Sequence, residues 1–304
     1  MVDNNFPPQM GQQGIPMAQP QGNPLAKHLR QPKIYIKLPS NGEYWPGKSL
    51  EKTENGEYPV YAMTAKDEIT FKTPDALLNG QATVDVIQSC MPNIKDAWQT
   101  PSIDLDTILI AIRRASYGDK MAMTATVPNT EPTITKDFEL NMQTLFDNYM
   151  AKQFESTFQI DGFKVQIKPL NYKTITEGMI KAFEEQRIFS IVDDNTIQNQ
   201  EKLKKFQSSF NRLTELNVQT LVSSVVAVQP DDSQEAVVNP AHIKEFIENT
   251  DAKVFNQIKS HIESQKKKFE QQPLEVEATE EEIEAGADKT YKIPIVFDQG
   301  NFFD

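Results

Sequence analysis

The sequence predicts an α+β fold with a small mixed N-terminal domain, a β-hairpin in the middle and a helical C-terminal half that ends in a short strand. Three observations support this prediction. Apolar residues recur at helical spacing between Asp104 and Tyr117, alternate on both sides of Asp161-Gly162, and return to helical spacing over much of 171–270. We expect a flexible Gln- and Pro-rich arm at 1–30, a mixed α/β core at 31–130, a strand-rich middle with the hairpin at 131–170, a helical region at 171–270, and an acidic linker with an aromatic C-terminal segment at 271–304.

Composition limits the class of protein. With 304 residues, 38% of them hydrophobic, the chain can bury one large core or two moderate ones. A net charge of −12 opposes attraction to phosphate backbones, so we expect no nucleic-acid partner. No apolar stretch is long enough to span a bilayer, and no membrane partner is expected. The single cysteine, Cys90, fits a chain made in a reducing cytoplasm, and its simplest interpretation is a small core residue.

The N-terminal arm has too few large apolar residues to order by itself, so it is either a solvated tail or a segment that orders against a neighbouring subunit. A strand is predicted at Lys33–Lys37, where polar and apolar residues alternate. Further along, Thr64 with Asp67 predicts a helix start, Thr73-Pro74 predicts one more helical turn, and Ala82–Met91 predicts a helix closed by Pro92.

The clearest helix extends from about Asp104 to Tyr117. Its predicted buried face consists of four residues at three-four spacing: Leu105, Ile108, Leu109 and Ile112. Ser102 is predicted to cap the helix, and Asp104 and Asp106 are explained by the helix dipole, which favours negative charge in the first turn. The same pair could serve acid/base chemistry, but the dipole is the preferred explanation. Gly118 is expected to end the helix.

The hairpin prediction comes from Phe158 and Ile160 before the turn and Phe163, Val165 and Ile167 after it. The helical region then begins at a cap supplied by Asn171 or Thr174. It continues with one long helix, or two with a bend, over Glu201–Val228, and with helices after Asn239-Pro240 and over Asp251–Phe269. An aromatic stripe is interpreted as core rather than as a ligand site: Phe206, Phe210, Phe246 and Phe255.

Residues 275–288 carry seven acidic residues without a Lys or Arg, which predicts an exposed connection. Tyr291–Phe297 then resumes an extended apolar pattern, and Phe302 and Phe303 follow. Two hypotheses remain open for this segment. Either it returns as a strand beside the protein's own sheet, or it docks onto a partner, with Phe297, Phe302 and Phe303 as candidate partner-binding residues.

No motif predicts catalysis. The three histidines, His28, His242 and His261, lack a neighbouring nucleophile motif, and no phosphate-binding, dinucleotide-binding or metalloprotease pattern is present. We therefore expect no enzyme activity, no catalytic residues, no cofactor and no metal.

Three runs resemble a known family: YAMTAKDEITFKTPDALLNG, VIQSCMPNIKDAW and PSIDLDTILIAIRRASYG. Together with KLPSNGEYW they are similar to the T-even-type bacteriophage baseplate proteins described as baseplate hub subunits, and the resemblance covers Lys33 to Phe303. It implies Cys-x-x-Cys pairs near 128–132 and near the C-terminus, as in zinc ribbons, in many relatives. Both places lack cysteine here, so we predict no zinc.

The resemblance implies a structural subunit in the hub region of a contractile phage tail baseplate, which acts through protein–protein contacts. The alternative is a tail assembly chaperone that binds the tape measure protein and is absent from the mature virion. Expected partners are other phage tail and baseplate proteins. The expected location is the virion tail baseplate, after synthesis and assembly in the host cytoplasm.

Overall fold

Short strands and helices alternate in the first half of the chain, and longer helices dominate the second half. The computed structural model describes residues 29–73, 80–190 and 199–295. Its strands are β1 (Pro32–Ile36), β2 (Tyr58–Tyr61), β3 (Lys120–Thr126), β4 (Thr135–Asn141), β5 (Thr157–Ile160), β6 (Phe163–Ile167), β7 (Val225–Pro230), β8 (Leu274–Glu277) and β9 (Thr290–Ile293). Its helices are α1 (Ala65–Phe71), α2 (Gln81–Cys90), α3 (Ser102–Tyr117), α4 (Met142–Met150), α5 (Tyr172–Ser190), α6 (Asn199–Ser224), α7 (Pro240–Asn249), α8 (Ala252–Phe269) and α9 (Glu280–Glu284). The mixed α+β prediction is confirmed.

The first hydrophobic core is built around α3. The antiparallel pairs β1–β2, β3–β4 and β8–β9 contribute to it together with α2 and α4. Ile108 and Ile112 are fully buried, whereas Leu105 and Leu109 pack at the edge of the core. The predicted helix and its apolar face are therefore confirmed, and Gly118 ends the helix at a positive φ of 86°.

The predicted start of α3 is wrong in its detail. Pro101, not Ser102, occupies the cap position, and no side chain caps the helix. Ser102 is the first helical residue, and its N–H donates to the carbonyl of Leu170 at 2.8 Å. A contact with the chain that leads into α5 thus replaces the expected side-chain cap.

The other N-terminal predictions are confirmed where the structure describes them. Thr64 and Asp67 form a reciprocal capping box at the start of α1. The predicted strand at 33–37 is β1, and the predicted helix before Pro92 is α2. The turn predicted after Thr73 lies in residues 74–79, outside the described residues.

The second core lies under the three-stranded sheet β5–β6–β7, against the end of α6 and the helices α7 and α8. The predicted hairpin is β5–β6, and Gly162 in its turn has the positive φ that a tight turn requires. Asn239 and Asp251 cap α7 and α8 as the sequence indicated. The prediction that the helix continues to Val228 is wrong, because Val225–Pro230 forms β7 and pairs with β6.

The prediction for the acidic stretch at residues 275–288 is only partly right. Residues 275–288 were expected to be an exposed connection, and six of the seven acidic residues are indeed exposed, but β8 and α9 occupy most of the stretch. Thr279 and Glu282 form a capping box, and Glu282 is only 4% exposed. Its carboxylate accepts from Lys136 Nζ at 2.9 Å and from the Tyr291 hydroxyl at 3.2 Å, which ties the stretch to the first core. The five segment boundaries given above stay a prediction.

Candidate partner-binding surface

Helices α5 and α6 form an antiparallel pair. Near the base of the pair, Lys168 N–H donates to the carbonyl of Ser224 at 2.8 Å. Further out, Glu185 accepts from Ser209 Oγ at 2.6 Å and from Arg212 Nη2 at 2.9 Å. Because the residue numbers fall on one helix as they rise on the other, the two helices run in opposite directions.

The base of α5 is fixed to the first core. Tyr172 N–H donates to the carbonyl of Thr100 at 2.8 Å, and the Tyr172 ring stacks on Trp98 with 5.5 Å between centroids. Asn171 supplies the cap, since its side chain accepts from Thr174 N–H at 2.9 Å. A Cβ on Gly80 would stand 3.0 Å from the Tyr172 hydroxyl oxygen, so this packing needs glycine there. The direction in which α5 leaves the core is therefore well determined.

Beyond this base the two helices expose large apolar side chains. We call the following set the α5–α6 face: Met179 (66% exposed), Ile180 (37%), Phe183 (62%), Leu203 (65%), Phe206 (43%) and Phe210 (58%). Single exposed apolar residues are ordinary on protein surfaces, whereas six on one helix pair make it the candidate binding surface.

The members of the face do not all lie on one side of the helix pair. Glu185 and Ser209 point toward each other, and each residue turns 100° around its helix. From those two reference positions, Met179 on α5 and Leu203, Phe206 and Phe210 on α6 turn toward one side of the pair. Phe183 points nearly opposite to α6, and Ile180 turns toward the side of Glu177 and Glu184. Among residues 172–187 and 203–224, the side with Met179, Phe206 and Phe210 carries no acidic side chain. Depletion of charge is typical of the centre of a protein interface.

The prediction that the aromatic stripe is part of the core is wrong for two of its four residues. Phe246 and Phe255 are partly buried against the second core, and Phe246 lies 5.0 Å from the ring of Phe163. Phe206 and Phe210 are exposed instead. Helical spacing reveals an apolar side of a helix, but it does not reveal whether the same chain covers that side.

The sequence-predicted partner-binding residues Phe297, Phe302 and Phe303 lie outside the described residues. The chain that leads to them is described: Thr290–Ile293 pairs with Leu274–Glu277, and Tyr291 and Ile293 are buried in the first core. The start of this segment thus follows the hypothesis of a strand beside the protein's own sheet.

Asp104, explained from the sequence by the helix dipole alone, is a buried acceptor. Its carboxylate is 0% exposed and accepts from Ser40 N–H at 2.8 Å, from the Ser40 hydroxyl and from Trp45 Nε1 at 2.8 Å. Burial raises the pKa of Asp104 to about 6, while these hydrogen bonds act in the opposite direction. Asp106 accepts from the Tyr149 hydroxyl at 2.9 Å, and burial raises its pKa too. Both carboxylates bind segments that are distant in sequence to α3, so they stabilise the fold.

One open depression is lined by polar residues. It includes Glu155, His261 and Lys268, whose Nζ lies 2.9 Å from the Glu155 carboxylate. The His261 ring stacks on Phe158, and its Nε2 lies 3.2 Å from the carbonyl oxygen of Glu155. These contacts hold α8 against the chain before β5, and no Ser or Cys nucleophile is hydrogen-bonded to His261 in the described contacts.

The two places where the resemblance implied cysteine pairs lie together in space. Glu131 N–H donates to the carbonyl of Ala285 at 2.8 Å, and a Cβ on Gly286 would come within 2.6 Å of the Asn129 carbonyl oxygen. Backbone contact thus joins the two stretches here. Within the described ranges, no group of three or more His, Cys, Asp or Glu side chains is arranged to hold a metal ion. Nor is any helix in those ranges both long and apolar enough to cross a lipid bilayer.

Comparison with curated proteins and with solved structures gave no match in either case. Comparison with protein families gave a match to the family described as T4 bacteriophage base plate protein. The match covers residues 32–285 of the 304-residue chain, which includes the second hydrophobic core, the α5–α6 face and all of the first core except its residues after 285. The chain therefore belongs to the T4 bacteriophage base plate protein family.

Proposed function

We propose that this baseplate-family protein is a structural subunit in the hub region of a contractile phage tail, and that it acts through protein–protein contacts rather than by catalysis. The observation that carries the proposal is the α5–α6 face on a chain that belongs to a baseplate family. A subunit of a large assembly must present apolar surface that neighbouring subunits cover, and this face is such a surface.

The rest of the described chain supports this proposal. The backbone hydrogen bonds from Ser102 to Leu170 and from Tyr172 to Thr100 fix the start of α5 to the first core, and the end of α6 packs in the second core, so both helices extend from a firm base. Buried carboxylates such as Asp104 are engaged by donors from distant segments, so they hold the fold together. The proposed partners are other tail and baseplate proteins. The proposed location is the baseplate of the virion tail, after assembly in the host cytoplasm.

A second contact is proposed at Phe297, Phe302 and Phe303. Aromatic anchors on an extended peptide typically contribute much of the binding energy when they fill pockets on a partner. Deletion of Gly300–Asp304 should leave the thermal stability of the isolated protein unchanged and should prevent its incorporation into tails. A lowered melting temperature would instead assign these residues to the protein's own core.

The α5–α6 face also favours one alternative function. A tail assembly chaperone that holds an apolar helix of the tape measure protein needs an exposed apolar helical surface, and Met179, Phe183 and Phe210 provide one. Such a chaperone leaves before the virion is complete. The two functions therefore differ in where the protein is found at the end of assembly.

Quantitative mass spectrometry of purified virions separates the two functions. The structural proposal predicts a fixed number of copies per virion, comparable to that of other baseplate subunits, after washing in high salt. Infected-cell lysate from the same preparation serves as the control for expression. Presence in the lysate with absence from virions would reject the structural proposal and support the chaperone.

A further inference from the structure

We infer that a proton on Asp106 controls a contact between the two cores: the protonated carboxyl donates to the Tyr149 hydroxyl, which then donates to Gln271, and loss of the proton releases Gln271. These three residues are called the Tyr149 junction. Tyr149 lies on α4 in the first core and is 2% exposed. Gln271 lies in residues 270–273, which connect α8 in the second core to β8 at the first.

The Tyr149 hydroxyl has one proton but lies beside two acceptors. Its oxygen is 2.9 Å from Asp106 Oδ2 and 3.1 Å from Gln271 Oε1. The orientation of the Gln271 amide is fixed by its nitrogen, which donates to the carbonyl of Gln272 at 2.9 Å, so its oxygen faces Tyr149. Burial and the neighbouring Asp106 raise the pKa of Tyr149, so the hydroxyl keeps its proton. While Asp106 is ionised, one of the two contacts therefore lacks a proton.

A proton on Asp106 completes the chain of hydrogen bonds. The carboxyl O–H donates to the Tyr149 oxygen, the Tyr149 O–H turns to Gln271, and both contacts then have a donor and an acceptor. When Asp106 releases its proton to solvent, the carboxylate attracts the Tyr149 proton more strongly than the neutral amide oxygen does. The Gln271 oxygen then faces a lone pair of Tyr149, and the contact between the cores is lost.

Several groups face Asp106, and burial outweighs their effects. Lys152, just after α4, has its Nζ 4.1 Å from the centroid of the Tyr149 ring and 3.4 Å from the carbonyl oxygen of Glu270. The Glu270 side chain is exposed, and Asp104 on α3 turns about 200° away from Asp106. Burial raises the pKa of Asp106 above its ordinary value of 3.8, although the hydrogen bond from Tyr149 and the charge of Lys152 act in the opposite direction.

The sign of the pH dependence follows from the raised pKa. The folded state binds the Asp106 proton more tightly than the unfolded chain does. The stability that this proton contributes is therefore fully present below the ordinary value of 3.8, and it is lost as pH rises through the folded-state pKa. The Tyr149 junction should accordingly be closed in acid and open in base.

Urea unfolding of the full-length chain from pH 4 to pH 8 tests this sign with Asp106→Asn. The asparagine amide is neutral and can donate to Tyr149, so it imitates the protonated carboxyl. The two proteins should unfold alike at pH 4, and at pH 8 the unfolding equilibrium constant of the wild type should be roughly threefold to tenfold larger. Asp85→Asn, at an exposed site on α2, is the matched control and should follow the wild type at every pH. A wild type that becomes more stable than Asp106→Asn as pH rises would overturn the inference.

Amide hydrogen exchange of residues 269–274 measures the contact itself. Comparing two proteins at the same pH cancels the intrinsic dependence of exchange on pH. Wild type and Asp106→Asn should exchange alike at pH 4, whereas at pH 8 the wild type should exchange roughly threefold to tenfold faster. Tyr149→Phe removes the hydroxyl and keeps the ring, so adding Asp106→Asn to it should change nothing at pH 8. Equal exchange of wild type and Asp106→Asn at pH 8 would overturn the inference, and so would a difference that persists without the hydroxyl.

Discussion

Replacing Asp104 with alanine removes an acceptor on which two distant segments depend. Ser40 and Trp45 lie 64 and 59 positions earlier in the chain, and both donate to this one carboxylate. The side chain is fully buried, so water cannot take its place without rearrangement. In the alanine variant, the Ser40 and Trp45 donors would be left inside the first core without their acceptor.

The expected loss follows from these contacts. A buried donor without an acceptor costs about 1–3 kcal/mol, and three donors lose their acceptor here: the Ser40 N–H, the Ser40 hydroxyl and the Trp45 indole N–H. We therefore expect Asp104→Ala to lower the free energy of unfolding by about 3–5 kcal/mol at pH 5. Asp85→Ala, at an exposed site on α2, is the control and should change stability by about 0.5 kcal/mol or less.

The loss should also depend on pH in a defined direction. Asp104 has a pKa of about 6 when folded, against 3.8 as the ordinary value, so the folded state binds the proton more tightly. The wild type therefore loses stability as pH rises from 4 to 7, by about 2.5 kcal/mol, which is most of the effect of a shift of about two pH units. Asp104→Ala lacks this group, so the difference between wild type and variant should shrink by that amount over the same interval.

Urea unfolding followed by tryptophan fluorescence measures both effects, because Trp45 is itself one of the donors. Curves are compared at pH 5 and across pH 4–7 for wild type, Asp104→Ala and Asp85→Ala. If Asp104→Ala unfolds at the same urea concentration as the wild type at pH 5, the buried-acceptor account is wrong. If the two proteins differ by a constant amount from pH 4 to pH 7, the raised pKa is wrong.

Three further predictions concern the first core and its chemistry. Ile108→Ala and Ile112→Ala should each lower stability by about 2–5 kcal/mol, whereas Ile69→Ala on the exposed side of α1 should change it by about 0.5 kcal/mol or less. Glu282→Gln should lower the melting temperature at neutral pH. The hydrogen bond from Lys136 holds the pKa of the Glu282 carboxyl below its ordinary value, so the stability that this carboxylate contributes is lost as pH falls through its folded-state pKa. The purified protein should carry no stoichiometric zinc, because the chain has one cysteine.

Simple measurements can refute each of these three. Unchanged melting temperatures for both isoleucine variants would reject burial of α3. A Glu282→Gln variant as stable as the wild type at pH 7 would mean that the acidic stretch is not held by its carboxylate. Elemental analysis that finds zinc at one equivalent would reject the metal prediction directly.

Local signals predicted the elements well where they determine structure by themselves. The three-four spacing from Leu105 to Ile112 identified α3, and Asp161-Gly162 identified the β5–β6 hairpin. The sequence also predicted three capping residues, Thr64, Asn171 and Asn239, because a cap lies within a few residues of the backbone groups it binds. Such features need no knowledge of the rest of the fold.

The errors have a common physical cause, since each depends on contacts between distant parts of the chain. Asp104 resembled an ordinary first-turn acid because Ser40 and Trp45 are far away in sequence. Val225–Pro230 was included in a helix because its apolar residues continued the spacing of α6, although its β-branched valines were a signal for a strand. Phe206 was placed in the core because helical spacing does not show which helix sides the chain itself covers.

The acidic stretch contained a signal that composition obscured. Glu275 and Glu277 alternate with Leu274 and Val276, which is the pattern of a half-buried strand. The spacing of Thr279 and Glu282 is that of a capping box. Charge density favoured an exposed connection, but the contact of Glu282 with Lys136, 146 positions away, decides the structure.

A cryo-electron microscopy map of the intact phage tail tests the central claim most directly. The account predicts density in the baseplate hub that fits both cores of this chain, with the α5–α6 face covered by protein and not by solvent. A hub map at side-chain resolution in which every density is assigned to other subunits, and none fits this fold, would contradict it.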